Sequence, residues 1–418
     1  MELLNIIAVL ITLSALFSYI NYRFIKLPQS IGLMVIAITM SMLVVAGGWL
    51  GVESVAYARN FVANIDFNQT LMQGMLSFLL FAGALHVNLN DLKAQKGPVL
   101  ALATGGVIIS TFLIGTAVWW VISLVGLSLP YIYCLLFGAL ISPTDPIAVM
   151  GILKTVGAPK SLEMKIVGES LGNDGIGVVI FIVLLGIAEG GGHISAGHIT
   201  LLFLEEAVGG VLFGFIIGYI AYRLLRSIDQ YQVEVLISIA VVTGGYALAG
   251  VIHVSGPLAM VVAGLLIGNH GRAFAMSDLT RDHLDSWWHL LDEILNAILF
   301  VLIGLELFVI RLDPAYLMAA VVVIPIVLLS RFFSVGLLVG MMRPFRTFSP
   351  GAVRILTWGG LRGGISVALA LSLPSGVERD LILTMTYVVV VFSILGQGLT
   401  VERLIRKSSV VVESKGRG

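Results

Sequence analysis

Two short polar runs interrupt otherwise apolar stretches of this chain. Residues 142–146 read Ser-Pro-Thr-Asp-Pro, and residues 168–175 read Gly-Glu-Ser-Leu-Gly-Asn-Asp-Gly. Together they place Asp145, Glu169 and Asp174 among apolar residues. A charged side chain in the middle of a bilayer costs roughly 2.5–3.5 kcal/mol on insertion scales. Carboxylates at such positions indicate a chain that moves an ion.

The side chains in these two runs have the oxygen atoms that bind a small cation. Ser170 and Asp174 are four residues apart and share a helix face. Asp145 lies between two prolines, where a helix is interrupted and backbone carbonyls are freed to face a cavity. Na⁺ and Li⁺ are hard cations that take about five or six oxygen ligands. We therefore predict a Na⁺ or Li⁺ site at Asp174, Asp145, Ser170 and Thr144, where a proton and a cation compete for one carboxylate.

Two further residues of the second run bear on charge balance. Glu169 needs a basic partner inside the membrane, and Arg331 and Arg362 are both candidates. Asn173 carries an amide, which cannot titrate. This favours one-for-one, electroneutral exchange, although Asp145 could carry a second proton.

Composition places the chain in the membrane. Of its 418 residues 58% are hydrophobic and 11% charged, whereas a soluble domain has about 25% charged residues. The net charge of zero gives no bulk field to attract nucleic acid, and the single Cys134 excludes a disulfide framework. We expect no cofactor beyond the transported ions, and the first apolar segment is interpreted as a retained helix.

Apolar stretches of about 20 residues predict an all-α polytopic protein with about 13 transmembrane helices. Of the 24 lysines and arginines, 19 fall on the side that also holds the C-terminus, which predicts an outside N-terminus and a cytoplasmic C-terminus. The predicted spans are 3–22, 28–49, 69–89, 98–124, 129–153, 162–188, 199–225, 231–250, 255–270, 286–310, 315–341, 352–373 and 380–401.

An odd number of spans suits two inverted six-helix repeats joined by one linking helix. Predicted span 5, broken at residues 144–146, then corresponds to span 12, which carries a glycine-rich run at 359–364. Interrupted helices at matching positions of two repeats point to a binding site at the membrane midplane.

The other polar residues receive plainer interpretations. His193 and His198 fall in a glycine-rich outside loop, and His253 precedes span 9 as a satisfied polar contact. Residues 278–285 are expected to form a solvated inside loop, and Asp292 to lie towards the cytoplasmic mouth. An enzyme is not supported, because neither a Ser/His dyad nor a zinc-protease or phosphate-binding motif is present.

At these residues the chain resembles the NhaP-type Na⁺/H⁺ antiporters, a branch of the monovalent cation:proton antiporter 1 family related to animal sodium/proton exchangers. The resemblance covers nearly the whole chain. It rests on both polar runs and on the sequences at residues 81–86, 253–259, 291–296 and 359–364.

The resemblance implies a homodimer in the cell (inner) membrane. The antiporter domain is expected at 1–402, with a moving core at about 98–188 and 315–401, a dimer scaffold at about 3–89 and 199–310, and a short basic tail at 403–418. It also implies an elevator-like cycle with access alternating between the two sides.

The residue roles also follow from the resemblance. Asp174 is expected to carry cation and proton, with Asp145, Thr144 and Ser170 as ligands and Asn173 as their neutral neighbour, while Glu169 pairs with Arg331. Gly172 stands where many relatives have a bulkier residue and is expected to loosen its helix. The expected activity is Na⁺(Li⁺)/H⁺ exchange; K⁺/H⁺ exchange and a proton-gated cation channel are the alternatives.

Overall fold

The computed structural model describes residues 3–49, 70–158, 160–189, 196–272, 275–308, 310, 313–346, 348–349 and 351–407. These residues are helical with short connections, and no β-strand occurs among them. Eight of the helices that they form are long and apolar enough to cross a membrane. The predicted all-helical class and the presence of several helices that could span a membrane are confirmed.

The first half of the chain builds helices around the first polar break. π-helical turns at Asn21–Ile25, Thr70–Met75 and Ala101–Gly106 extend or join these helices. The helices are α1 (Leu3–Ile20), α2 (Gln29–Trp49), α3 (Leu76–Leu85), α4 (Leu89–Ala94), α5 (Lys96–Leu100), α6 (Val107–Leu124), α7 (Tyr131–Ile141), α8 (Ile147–Val156) and α9 (Lys160–Glu189).

The helices of the second half of the chain begin at Ala196, where the described part resumes after residue 189. π-helical turns follow α12 at Ile267–Gly271 and join α17 to α18 at Ser393–Gln397. The helices are α10 (Ala196–Leu225), α11 (Tyr231–Val251), α12 (Gly256–Leu266), α13 (Asp278–Leu305), α14 (Pro314–Met342), α15 (Ala352–Trp358), α16 (Gly364–Leu371), α17 (Val377–Phe392) and α18 (Gly398–Lys407).

Two predicted spans are interrupted where the sequence indicated. Between α7 and α8, Pro143 and Pro146 have no N–H to donate, so the chain leaves the helix. Asp145 then begins α8 by accepting a hydrogen bond from the Ile147 N–H at 2.9 Å. Between α15 and α16 the chain runs through three glycines, Gly359, Gly360 and Gly363, and Gly363 is extended. Both breaks are buried in the larger of the apolar cores.

The expectation that Gly172 loosens its helix is wrong. Helix α9 runs unbroken through this position. A Cβ built on Gly172 would lie 2.8 Å from the Cβ of Ala103, in the π-helical turn between α5 and α6. The missing side chain therefore lets α9 pack closely against the neighbouring span.

The expectation of a solvated loop at 278–285 is also wrong, because α13 already begins at Asp278. The Ser277 side chain caps this helix by accepting the Thr280 N–H at 3.4 Å, and Asp278 pairs with Arg281 at 3.0 Å. A capping serine and an acid in the first turn both stabilise a helix N-terminus. The cluster is therefore the polar end of a long helix.

Two features near the ends of predicted spans were not expected from the sequence. Lys165, one of the 19 basic residues counted on the side of the C-terminus, lies buried in α9 with its ammonium 4.7 Å from the centroid of the Phe348 ring. Helix α18 continues to Lys407, into the segment expected to form the tail. Residues 408–418 and His193 lie outside the described residues, as does the side chain of His198.

Candidate cation site at the crossing of two broken helices

The two helix breaks touch through their backbones. The Asp145 N–H donates to the Leu361 carbonyl at 2.8 Å, which forms an isolated antiparallel bridge. From the second break, Arg362 Nη1 donates to the carbonyls of Ser142 at 2.7 Å and Pro143 at 2.9 Å. These carbonyls form the negative end of α7, which a guanidinium stabilises. The crossing is therefore held by one backbone hydrogen bond and by the buried guanidinium of Arg362.

Helix α9 holds the first break at Thr144. The Asn173 side chain accepts the Thr144 N–H at 3.3 Å and donates to Thr144 Oγ1 at 2.8 Å. One turn earlier, the Ser170 hydroxyl donates to the Thr144 carbonyl at 2.5 Å. All three residues are buried. Thr144 is thus fixed by α9 through both its backbone and its side chain.

Asp145 and Asp174 line one cavity of about 140 Å³ beside this contact. Thr144, Ser170 and Ser366 contribute polar groups to the same cavity, and most of its remaining wall is apolar. Carboxylate, hydroxyl and carbonyl oxygens are the ligands that hard cations prefer. Two carboxylates at low dielectric also repel each other unless a proton or a cation neutralises one of them. The cavity therefore offers one small cation or a proton a place to bind.

Glu169 forms an ion pair with Arg331 of α14. The two side chains approach to 2.5 Å and are 2% and 3% exposed, respectively. Arg331 also donates to the Leu356 carbonyl at 3.4 Å. Of the two arginines that the sequence left open, this one pairs with Glu169, while Arg362 binds the carbonyls of the first break. The pair joins α9 to α14, beside the Asp174 site.

A wider cavity of about 770 Å³ continues from the site towards one face of the molecule. The two cavities share Pro146, Ile147 and Asp292, among other residues. At its far end the wider cavity reaches Lys26 and Glu402. The wider cavity therefore lies between the site and the face that carries the loop after α1 and the last described helix.

Asp292 and Asn296 of α13 line the cavity of Asp145 and Asp174, although the sequence analysis gave neither residue a role there. Asp292 also lines the wider cavity, and its expected position towards the cytoplasmic mouth stays a prediction. Asn296, one turn later on the same face, is buried at the same place. The available signal was an acid and an amide spaced i, i+4 within a span.

His253 lies away from this site. It is exposed in the turn between α11 and α12, with a left-handed backbone of φ 55°. Nearby, the Ser255 hydroxyl caps α12 by accepting the Leu258 N–H at 3.4 Å. The expected polar contact of the His253 side chain stays a prediction.

Comparison with known proteins identifies the family. Residues 11–407 match the family described as sodium/hydrogen exchanger, transmembrane. The chain belongs to this family. Both helix breaks, both cavity carboxylates and the Glu169–Arg331 pair lie within the matched residues. Members of the sodium/hydrogen exchanger family are transporters, so this chain is a transporter rather than an enzyme.

Curated relatives resemble the chain over almost its whole length. It is 52% identical over 410 residues to "Na(+)/H(+) antiporter NhaP" of Pseudomonas aeruginosa, covering 97% of each chain. It is 35% identical over 396 residues to "Na(+)/H(+) antiporter NhaH" of Halobacillus dabanensis, covering 93% of this chain and 94% of the relative.

A solved structure shares the fold. The sodium proton antiporter MjNhaP1 from Methanocaldococcus jannaschii at pH 8 superposes with a TM-score of 0.76 at 21% identity. The match covers 98% of this chain and 99% of that one. At this identity the likeness establishes the common architecture alone.

Proposed function

We propose that this chain exchanges Na⁺ or Li⁺ for H⁺ across a membrane. The observation that carries the proposal is the shared cavity of Asp145 and Asp174, with the Thr144 and Ser170 oxygens beside them. The names of the two relatives described above support the choice of Na⁺ as the cation.

In the proposed cycle, Asp174 binds either a proton or the cation. A bare carboxylate at low dielectric is unfavourable, so release of one ion is coupled to binding of the other. Asp145, Ser170 and Thr144 supply further oxygen ligands; the Ser170 hydroxyl, which donates its hydrogen to the Thr144 carbonyl, keeps its oxygen lone pairs for the cation. Asn173 cannot titrate. Exchange is therefore one proton for one monovalent cation and electroneutral.

The proposed transport movement is elevator-like. Thirteen spans form two inverted repeats, with a core at about 98–188 and 315–401 moving against a scaffold at about 3–89 and 199–310. With an outside N-terminus and a cytoplasmic C-terminus, the face that carries Lys26 and Glu402 is cytoplasmic. The wider cavity then corresponds to an inward-open state, in which Asp292, Glu293 and Glu402 attract cations. The protein is proposed to work as a homodimer in the cell membrane.

Purified protein in liposomes with an internal pH dye tests this function. An imposed pH gradient is followed while Na⁺, Li⁺ and K⁺ are added in turn, with protein-free liposomes as the control. We expect Na⁺ and Li⁺ to dissipate the gradient and K⁺ to have little effect. A response to K⁺ alone would replace the proposal with K⁺/H⁺ exchange. Dissipation without any added cation would indicate a channel-like proton leak.

A further inference from the structure

The π-helical turn Ser393–Gln397 lies against the second helix break. It joins α17 to α18 in a span that is otherwise α-helical. A π-turn widens the helix by one residue and changes which side chains face a neighbour, and such turns are frequent at functional sites. Here Ser393 and Gln397, both buried, form hydrogen bonds with the break.

An unbroken chain of hydrogen bonds spans the break from one side to the other. The Arg362 N–H donates to Ser393 Oγ at 3.0 Å, and that hydroxyl donates to Gln397 Oε1 at 2.7 Å. Gln397 Nε2 then donates to the Trp358 carbonyl at 3.0 Å. Trp358 ends α15, and Arg362 lies two residues before α16. We call Ser393 and Gln397 the clamp.

The residues held by the clamp contact the first break directly. Leu361, adjacent to Arg362, accepts the Asp145 N–H. The Arg362 guanidinium binds the carbonyls of Ser142 and Pro143. Any shift of the second break therefore moves Asp145 and the carbonyls beside it. Neither clamp residue lines the cavity of Asp145 and Asp174.

The first break is held in a similar way from α9. Ser170 and Asn173, a hydroxyl and an amide one turn apart, bind Thr144. Ser393 and Gln397 are likewise a hydroxyl and an amide one turn apart, and they bind the other break. Each break is therefore hydrogen-bonded to a hydroxyl–amide pair on a neighbouring span, and the two breaks are hydrogen-bonded to each other.

We propose that Ser393 and Gln397 are positioning residues that set cation affinity by fixing the second break against Asp145. The proposal rests on the cation site described under the proposed function. A residue that only supports folding would change stability but leave the affinity of correctly folded protein unaltered. The clamp should change affinity from a distance, because its effect passes through Leu361 and Arg362.

The test measures the Na⁺ concentration that gives half-maximal exchange, together with the melting temperature, for Ser393→Ala and Gln397→Met. Ser393→Thr keeps a hydroxyl and serves as the rescue variant. Thr386→Val is the matched control, because Thr386 is a buried residue of α17 whose hydroxyl donates to the Ile382 carbonyl of its own helix.

We expect Ser393→Ala and Gln397→Met to raise the half-maximal Na⁺ concentration about fivefold, because each variant removes the one hydrogen bond, of about 1 kcal/mol, that ties its side chain to the second break. Ser393→Thr and Thr386→Val should stay within twofold of the wild type. If Gln397→Met does not fold, the contrast between Ser393→Ala and Ser393→Thr decides. Wild-type affinity in the clamp variants, or an equal shift in Thr386→Val, would overturn the proposal. Absence of exchange in the wild type would instead refute the proposed function.

Discussion

The Asp145 N–H and the Leu361 carbonyl lie 2.8 Å apart and join two helix breaks that are 216 residues apart in the chain. This hydrogen bond places a carboxylate of one half of the molecule against the glycine-rich break of the other. Arg362 reinforces the contact through the carbonyls of the first break. Asp145, the proposed cation ligand, is therefore held against the second break.

The close approach at this crossing predicts that Gly363→Ala impairs transport. A Cβ built on Gly363 would lie 2.6 Å from Asp145 Oδ2 and 2.8 Å from its Cβ, so the carboxylate must move. We expect at least a tenfold rise in the Na⁺ concentration for half-maximal exchange. Gly186→Ala in α9 is the control, because a Cβ there meets nothing within 4 Å. Equal half-maximal Na⁺ concentrations in the two variants would argue against close packing of Asp145 against Gly363.

Asp145→Asn should weaken cation binding strongly without abolishing all transport. The amide keeps an oxygen that can accept the Ile147 N–H, so α8 should stay capped. The Asp174 carboxylate and the Thr144 and Ser170 oxygens remain at the cavity. Concentration curves for Na⁺-driven proton movement measure the change. An unaltered half-maximal concentration would show that Asp145 is not a ligand.

Glu169 and Arg331 should behave as a coupled pair. Removing one partner leaves an uncompensated buried charge, which costs on the order of 3–5 kcal/mol. Melting temperatures should fall sharply for Glu169→Gln and Arg331→Met, and the double variant should recover part of the loss. The exposed pair Glu402–Arg406, at 2.8 Å, is the control and should show a coupling of about 0.5 kcal/mol or less. Purely additive losses at Glu169 and Arg331 would contradict their coupling.

The positions of both helix breaks could be predicted, because proline and clustered glycine act on the local backbone. The grouping of the two polar runs at one cavity could be predicted because their residue types carry oxygens suited to a cation, whereas their role as ligands stays a prediction. The partner of Glu169 could not be decided from the residues alone, since two arginines in different spans have the same charge. Only packing shows that Arg362 is occupied by the carbonyls of Ser142 and Pro143.

Other features depended on contacts that periodicity does not encode. The place of Asp292 at the cavity of Asp174 could not be predicted, because hydropathy gives depth along a helix only roughly. The contact of the Lys165 ammonium with the Phe348 ring could not be predicted, because a charged residue at the end of a span is expected to face water. The π-helical turn at Ser393 leaves no mark in the hydropathy pattern.

Electroneutral exchange predicts insensitivity to voltage. With one proton exchanged for one monovalent cation, no net charge crosses the membrane. A potassium-diffusion potential imposed with an ionophore should leave the Na⁺ gradient at equilibrium equal to the H⁺ gradient. If one net charge crossed the membrane in each cycle, a potential of 100 mV would change the free energy of exchange by about 2.3 kcal/mol. A voltage-dependent equilibrium would mean that Asp145 or another carboxylate carries a second proton.

Asp174 is proposed as the group that binds the cation and the proton in turn. The direct measurement is Na⁺-driven proton movement by Asp174→Asn in liposomes, at the same protein content as the wild type and with an unchanged elution volume in detergent. Because an amide cannot exchange a proton for Na⁺, no dye response is predicted at any Na⁺ concentration. If the variant still dissipated a pH gradient when Na⁺ is added, the result would contradict this role of Asp174.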